Sequence, residues 1–371
     1  MTALSYLALF VVFYAYAGYP MVVACWAGVM PRRSRHVAHF EPTVSVCMAV
    51  HNGERYLADK LASLKALDYP PDKLEILIYS DGSTDSTVAR IREAAEADPR
   101  VRLLVAEERR GKPTALNRLR VEAQGEVLLM TDIRQTLAPN SLRALVQELA
   151  DPSIGCVSGS LVLQGQTGPG VYWRYERAIR GAEARVGNLV GVSGSIYAIR
   201  REDLIDLPTD VLLDDMFVPL SVLKRQKRVA LSPAAEAYDT AYEDDQEFGR
   251  KVRTLAGNYQ LMAKLPWLLL PGKNPVWFQF VSHKLSRLLC PWALITLLLS
   301  SLGLAVSPAV PPDQQLFWGG LLTGQLLFYF LALLGARAGR LGALARTFVV
   351  LNVAAVVGLW RFLRGSQAVA W

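Results

Sequence analysis

Acidic side chains that could hold a base, a cation or a proton end three apolar runs early in the chain. Val44–Val50 gives way to His51-Asn-Gly-Glu54, and the run ending at Tyr79 gives way to Ser80-Asp81-Gly-Ser-Thr-Asp85. "VLLM" at 127–130 is followed by Thr131-Asp132-Ile133-Arg134. A carboxylate so placed can accept from the ring N–H of a base, or coordinate a cation that bridges two phosphates. Each acid alone has an ordinary reading. "SDGSTDST" makes a turn and helix cap, and Glu54 is a first-turn acid favoured by the helix dipole. The conjunction of three, each at the end of a strand-like run, points to one crevice. Where a second metal-ligating acid could stand, two residues after Asp132, there is Arg134.

The elements that must position these acids alternate. Residues 44–50, 74–79, 101–105 and 126–130 read as strands, and 53–67, 83–97 and 113–123 as helices. Short apolar strands alternating with amphipathic helices indicate parallel βαβ units. In such a sheet ligands bind at the carboxyl ends of strands, where the strand order reverses, which is where Glu54, Asp81 and Asp132 would converge. Further strands are expected near 155–163, 196–200 and 228–232.

The chain of 371 residues is 52% apolar, with a mean hydropathy of +0.22. The excess is local: 3–30, 288–312 and 316–336 carry no charge, and each matches the ~20 residues of a membrane span. A fourth stretch, 347–360, is shorter. No positive residue precedes the first segment, which is too long for a signal-peptide core and runs into Pro-Arg-Arg-Ser-Arg, so it is expected to remain. Arg32, Arg33 and Arg35 place the following domain in the cytoplasm by the positive-inside rule. The net charge of +7 then suits an anionic membrane surface. No basic run interleaved with aromatics argues for nucleic acid. The four cysteines form no CxxC pair and read as small buried hydrophobes in a reducing compartment.

The expected organisation is a transmembrane helix at 1–31, a cytoplasmic domain at 40–260, interfacial amphipathic helices at 261–290, and a membrane region at 291–371. The last would hold two spans and a short third apolar helix. In the interfacial segment Trp277, Phe280, Val281, Leu285 and Leu288 share one helical face, opposite Gln279, Ser282, His283 and Arg287. His283 could face either the site or lipid headgroups.

Taken together, the motifs resemble those of membrane-bound family 2 glycosyltransferases: ceramide glucosyltransferase-like enzymes and poly-N-acetylglucosamine, hyaluronan and cellulose synthase-like enzymes. The residues that carry the resemblance are "VSVCMAVHNGERYL" at 44–57, "YSDGSTDST" at 79–87, "RRGKPTALN" at 109–117 and Asp132. Then come "YWRYE" at 172–176, "GVSGSIYAIRR" at 191–201, "LLDD" at 212–215 and "RKVRT" at 250–254. The resemblance implies an α/β fold: a GT-A, Rossmann-like nucleotide-sugar-binding domain inserted between an N-terminal transmembrane helix and C-terminal interfacial and transmembrane helices. It implies that Glu54 and Asp81 bind the base, that Lys112 and Asn117 reach the donor, and that Asp132 holds Mg2+ or Mn2+ and the pyrophosphate. Gly194 would shape the acceptor site, Asp215 would be the general base, and Arg250 and Arg253 would steady the leaving diphosphate. Adjacent acids such as Asp214 and Asp215 repel, which raises the proton affinity of one of them.

Two departures matter. Polymer-making relatives carry DxD where this chain has Asp132-Ile-Arg134, and QxxRW where it has Arg250-Lys-Val-Arg253-Thr254. The ceramide glucosyltransferase-like branch fits better, and the missing Trp removes a platform for a growing sugar chain. The expectation is therefore an inverting transferase that uses a nucleotide-diphosphate sugar, uridine-linked, with Mg2+ or Mn2+. Its acceptor would be a lipid-linked or growing glycan of the cell envelope or exopolysaccharide. Its rivals are a processive β-glycan synthase and a catalytically silent nucleotide-sugar sensor or assembly subunit.

Overall fold

A computed structural model of the chain describes residues 1–32, 40–164, 170–240 and 244–367. Arg33 and Arg35 of the basic cluster lie outside the described residues. The chain opens with α1 (Thr2–Phe13), a π-helical turn (Tyr14–Gly18) and α2 (Tyr19–Val29), which run on as one helix. The sheet that follows contains β1 (Val44–Val50), β2 (Leu74–Asp81), β3 (Val101–Ala106), β4 (Val127–Thr131), β5 (Thr136–Leu137), β6 (Ile154–Gln164), β7 (Ile196–Arg200) and β8 (Arg228–Thr240). Its order is β3-β2-β1-β4-β7-β6-β8-β5.

Every residue of β1 is buried, because helices cover both faces of the sheet. Val44, Val46, Met48 and Val50 pack on one side with Ile76, Ile78 and Leu129, while Cys47 and Ala49 pack on the other with Leu77, Leu128 and Met130. The covering helices are α3 (Glu54–Lys65), α4 (Thr87–Ala97), α5 (Lys112–Glu122), α6 (Ser141–Leu149), α7 (Val171–Val186), α8 (Asp214–Lys224) and α9 (Asp244–Lys264). Strands β1 to β4 are parallel, as their alternation with helices predicts, and the order reverses between β1 and β4.

The rest of the sheet is mixed. β7 runs antiparallel to β4, with Ile196 opposite Thr131. Strand direction here has a functional consequence: the start of β7 lies at the carboxyl end of β4. Residues 191–195 are thereby brought beside Asp132.

The C-terminal part continues with α10 (Trp277–Gln279), a second π-helical turn (Phe280–Leu285), α11 (Ser286–Val306), α12 (Pro312–Leu334) and α13 (Gly339–Leu363). Among the described residues three stretches are long and apolar enough to cross a membrane: Thr2–Val29, Trp277–Val306 and Pro312–Leu363. The third comprises α12 and α13, joined by a tight turn at Gly335 and Gly339, both with positive φ. Their large apolar side chains are exposed, including Leu7, Phe10, Leu299, Leu327 and Phe330; lipid would cover these. Cys25, on the same kind of surface, is exposed, whereas the other three cysteines are buried.

The last helix is longer than its uncharged core of 347–360, because Arg340 and Arg346 lie within it. Its C-terminal half packs along α9. There Phe362 stacks on Tyr259, and Gly358 lets the two backbones approach so closely that a Cβ would sit 2.9 Å from Ala256 N.

The segment at 277–288 is covered on both faces, with Phe280 and Leu288 of its apolar face buried. Gln279, Ser282, His283 and Ser286 are buried at the junction with α7 and the first helix. His283 faces neither solvent nor headgroups: its Nδ1 lies 2.8 Å from Glu183 Oε1 and its Nε2 3.3 Å from Glu176 Oε2.

Candidate active site

Asp81 is fully buried at the end of β2, where it accepts from the backbone N–H of Arg110 (2.7 Å) and of Gly111 (2.8 Å). It thereby fixes the entry to α5. Gly82 makes this approach possible: its φ is +64°, and a Cβ there would meet Arg109 N at 2.6 Å. His51 Nδ1 lies 2.8 Å from the Asp81 carbonyl oxygen, so His51 is part of the same scaffold.

Glu54, in the first turn of α3, accepts from Ser86 N at 3.0 Å and from the Ser86 hydroxyl. Those bonds tie the start of α4 to α3 and hold the Glu54 carboxyl below its ordinary range. Asn52, in the left-handed region at φ +50°, exchanges hydrogen bonds with Thr84 and completes the tie.

Asp132 leaves β4 with its side chain 38% exposed, and its Oδ1 lies 2.9 Å from Lys112 Nζ. Lys112, at the first position of α5, is also 3.1 Å from Asp214 Oδ2. Burial alone would lower the Lys112 proton affinity, but Asp132 and Asp214 outweigh it and the ammonium is held charged. Lys112 thus links the end of β4 to the start of α8.

Asp215, the next residue, has its proton affinity raised to about 6, by burial first and by Asp214 second. Lys112 and Arg180 oppose the rise. Gly194 lies between the two acids. A Cβ built there would sit 3.7 Å from Asp132 Oδ2 and 3.9 Å from Asp215 Oδ2, so both carboxylates face one small space. The backbone holds it: Val192 N donates to Asp215 O (2.9 Å), and Ser193 N donates to Ser158 Oγ (2.9 Å).

Two contributors were not legible in the sequence. Arg180, on α7, donates to Ser158 Oγ (3.2 Å) and the Gly191 carbonyl (3.4 Å), and its charge acts on Asp215. Lys60 is fully buried on α3 and donates to Thr131 Oγ1 (2.6 Å) and to the Gln135 carbonyl (2.7 Å). Burial lowers its proton affinity to about 7, opposed by the nearby Asp132. Thr131 Oγ1 in turn donates to Ser195 O (2.7 Å), so Lys60 braces the strand end against the Gly194 loop. A lysine in register with Leu57 and Leu64 on an apolar stripe was the available signal for it.

The remaining positions are divided. Asn117 has both ends of its amide on the backbone of Leu207, at 2.8 Å each, so the structure assigns it to anchoring that loop and not to a donor contact. Arg250 and Arg253 lie on α9, and an Arg253 N–H points to the Leu212 carbonyl at 3.5 Å. Arg134 is turned away from Asp132, with its Nε 2.7 Å from Asp239 Oδ1 and its NH2 2.7 Å from the Thr240 carbonyl on β8.

Among the described residues no three His, Cys, Asp or Glu side chains form a metal cage. What the site offers a divalent cation is the Asp132 carboxylate, one oxygen of which faces the shared space at Gly194. A cation that takes its other ligands from phosphate oxygens and water fits that donor set.

This mixed sheet, with its acids gathered at the β1/β4 reversal, is the GT-A fold of nucleotide-sugar-dependent glycosyltransferases. Residues 45–207, somewhat less than half of the chain, match glycosyl transferase family 2. A mannosyltransferase from Pyrobaculum calidifontis, solved with GDP-Man and Mn2+, superposes with a TM-score of 0.77 over 98% of this chain and 100% of its own, at 25% identity. An N-acetylglucosaminyltransferase of Rhizobium leguminosarum bv. viciae is 27% identical over 175 residues, 45% of this chain and 41% of the relative. A beta-monoglucosyldiacylglycerol synthase of Synechocystis is 30% identical over 118 residues, 31% of this chain and 25% of the relative. The chain therefore spans less than half the length of either of these two relatives.

Proposed function

We propose that the protein is an inverting glycosyltransferase that moves one sugar from a nucleoside diphosphate sugar to a hydroxyl of a lipid-linked acceptor. Its catalytic domain would work at the cytoplasmic face of a membrane, in envelope-glycan or exopolysaccharide synthesis. The observation that carries this reading is the pair Asp132 and Asp215, which face one space across Gly194, with the Asp215 proton affinity raised to about 6.

A base in that range is ionised near neutral pH yet takes up a proton readily. Asp215 would remove the acceptor proton as the hydroxyl oxygen bonds to the anomeric carbon. The bond from that carbon to the diphosphate oxygen would break on the opposite side. Asp132 would hold Mg2+ or Mn2+, which when bound supplies charge neutralisation on the diphosphate. Lys112 sets the Asp132 carboxylate, Arg250 and Arg253 would steady the leaving diphosphate, and Asp81 and Glu54 would border the base. A neighbour solved with GDP-Man stands beside the expectation of a uridine-linked donor, so both nucleotides belong in the test.

The test is nucleoside diphosphate release from a panel of UDP- and GDP-sugars, with and without Mn2+. Release is expected with at least one donor and is stimulated by metal. Asp215→Asn should abolish it while donor binding persists, and Asp132→Ala should remove the metal stimulation. No release with any donor would favour a silent sensor. A ladder of long products would favour a processive synthase.

A further inference from the structure

A cavity of about 500 Å3 lies among the membrane helices, in the range of small-molecule pockets. Its walls are apolar: Val12 of α1, Leu294 and Leu297 of α11, Phe328 of α12 and Phe348 of α13. Polar donors in the wall are already engaged. Gln325 donates to the Leu294 carbonyl (3.0 Å) and to the Tyr329 hydroxyl (2.7 Å), and Thr347 donates to the Ala343 carbonyl (3.0 Å). An apolar space excludes water and takes an apolar occupant. It is not a passage for a sugar polymer.

One end of the cavity is formed by α7, through Tyr172 and Tyr175. Behind them Arg287 donates to both hydroxyls (3.2 and 3.4 Å), pairs with Glu176, and lies over the rings of Tyr16 and Tyr175. The cluster contains three cations, Arg180, Lys284 and Arg287, and two carboxylates, Glu176 and Glu183, all acting on one another. His283 and Tyr19 engage Glu183. Among the described residues Lys284 has no hydrogen bond and no ion pair, so its ammonium is balanced only at a distance, by Glu176 and Glu183. Both π-helical turns, Tyr14–Gly18 and Phe280–Leu285, fall here, and such turns are frequent at functional sites.

Helix α7 also reaches the base. Arg180 follows Tyr175 by five residues, roughly 7.5 Å of helix rise, and its charge acts on Asp215. We propose that the cavity holds the apolar chain of the acceptor lipid, with a phosphate-bearing head at Lys284 and Arg287. The sugar hydroxyl beyond that phosphate would then lie at Asp215. This inference rests on the glycosyltransferase reading above and names the acceptor class for it: a single-chain lipid phosphate that carries a glycan hydroxyl.

The test uses the full chain in maltoside micelles, with lipid binding read by native mass spectrometry without donor. The probes are hexadecyl phosphate, octyl phosphate and hexadecanol. Wild type should bind one hexadecyl phosphate, with octyl phosphate at least tenfold weaker. Thr347→Trp, which fills the cavity, should weaken both hexadecyl probes at least tenfold. Lys284→Ala should weaken hexadecyl phosphate tenfold and hexadecanol less than twofold. If Thr347→Trp does not retain donor binding, Leu344→Phe replaces it. Wild-type binding by the cavity-filling variant, or no effect of Lys284→Ala, overturns the inference. Equal competition by dioleoylphosphatidylglycerol overturns it too, because the cavity would then hold a structural bilayer lipid. Donor release into water, measured without lipid, reports separately on the transferase reading. Lost lipid binding with donor release intact refutes only this inference, and the converse refutes only the function.

Discussion

Asp215 should give turnover an acid limb near pH 6. Its proton affinity is raised from an ordinary carboxyl value to about 6, because its surroundings are dry and Asp214 adjoins it. At pH 5 only about one molecule in ten would hold the base ionised, so kcat/KM should be about tenfold below its plateau, and about a hundredfold below at pH 4. An unperturbed aspartate would lose almost nothing at pH 5. The assay is nucleoside diphosphate release across pH 4 to 8 at saturating Mn2+.

Two variants separate the causes. Asp214→Asn removes the repelling charge and should move the limb down by on the order of one unit, leaving the part due to burial. Arg180→Met removes an opposing cation and should move it up. Stability runs the other way. A carboxyl with raised proton affinity in the fold stabilises fully below its ordinary value and loses that contribution as pH rises from about 4 to 6, here about 3 kcal/mol. Activity should therefore rise over the window in which the melting temperature falls. A limb near pH 4 in wild type, or an unmoved limb in Asp214→Asn, refutes the assignment of Asp215 as a dry base.

Other perturbations have signs fixed by the same geometry. Gly194→Ala places its Cβ in ordinary contact, at 3.7 Å or more, so stability should change by less than about 0.5 kcal/mol. Turnover should nonetheless fall at least about tenfold, because the methyl occupies the reacting space. Lys60 has its proton affinity lowered to about 7, so its contribution to stability is present above pH 10 and is lost as pH falls through 7. Chemical denaturation at pH 7 and 10 should show that slope in wild type and a flatter one in Lys60→Met. Arg134→Ala strips Asp239 of its guanidinium and should cost about 3 kcal/mol or less, with donor affinity within threefold in a calorimetric titration.

The parallel half of the fold was legible because short continuous apolar runs and helix starts are local signals. Val44–Val50 and Val127–Thr131 announce themselves as doubly buried strands, and the acids at their ends follow from chain direction. What the sequence withheld depends on distant partners. The polar face at 279–286 looks like an interfacial helix until α7 is packed on it, with Glu183 a hundred residues from His283. Asn117 looks like a donor ligand until Leu207 takes both ends of its amide. Arg180 lies four residues beyond the "YWRYE" motif at 172–176, and nothing local says that its charge acts on Asp215. The length of α13 was also hidden, since arginines interrupt the apolar run but not the helix.

Arg134 decides how much of the metal's coordination the protein can supply. Its guanidinium is fixed by Asp239 and Thr240, and Gln135 holds the second oxygen of the same carboxylate at 2.7 Å. The two residues that leave β4 after Ile133 are thus fastened to β8, where relatives with a DxD motif would present a second acid. An aspartate at 134 would not restore a ligand by itself, because it would stand beside Asp239, which is 3% exposed, and replace an ion pair with two like charges. Position 134 is a strut and offers no ligand. With one carboxylate on offer, affinity for the cation must come chiefly from the donor's own phosphates, so metal and donor should bind together far more tightly than either alone. Asp132 would then serve to orient the cation more than to capture it. Lys112, bonded to the same carboxylate at 2.9 Å, keeps that orientation fixed before the donor arrives.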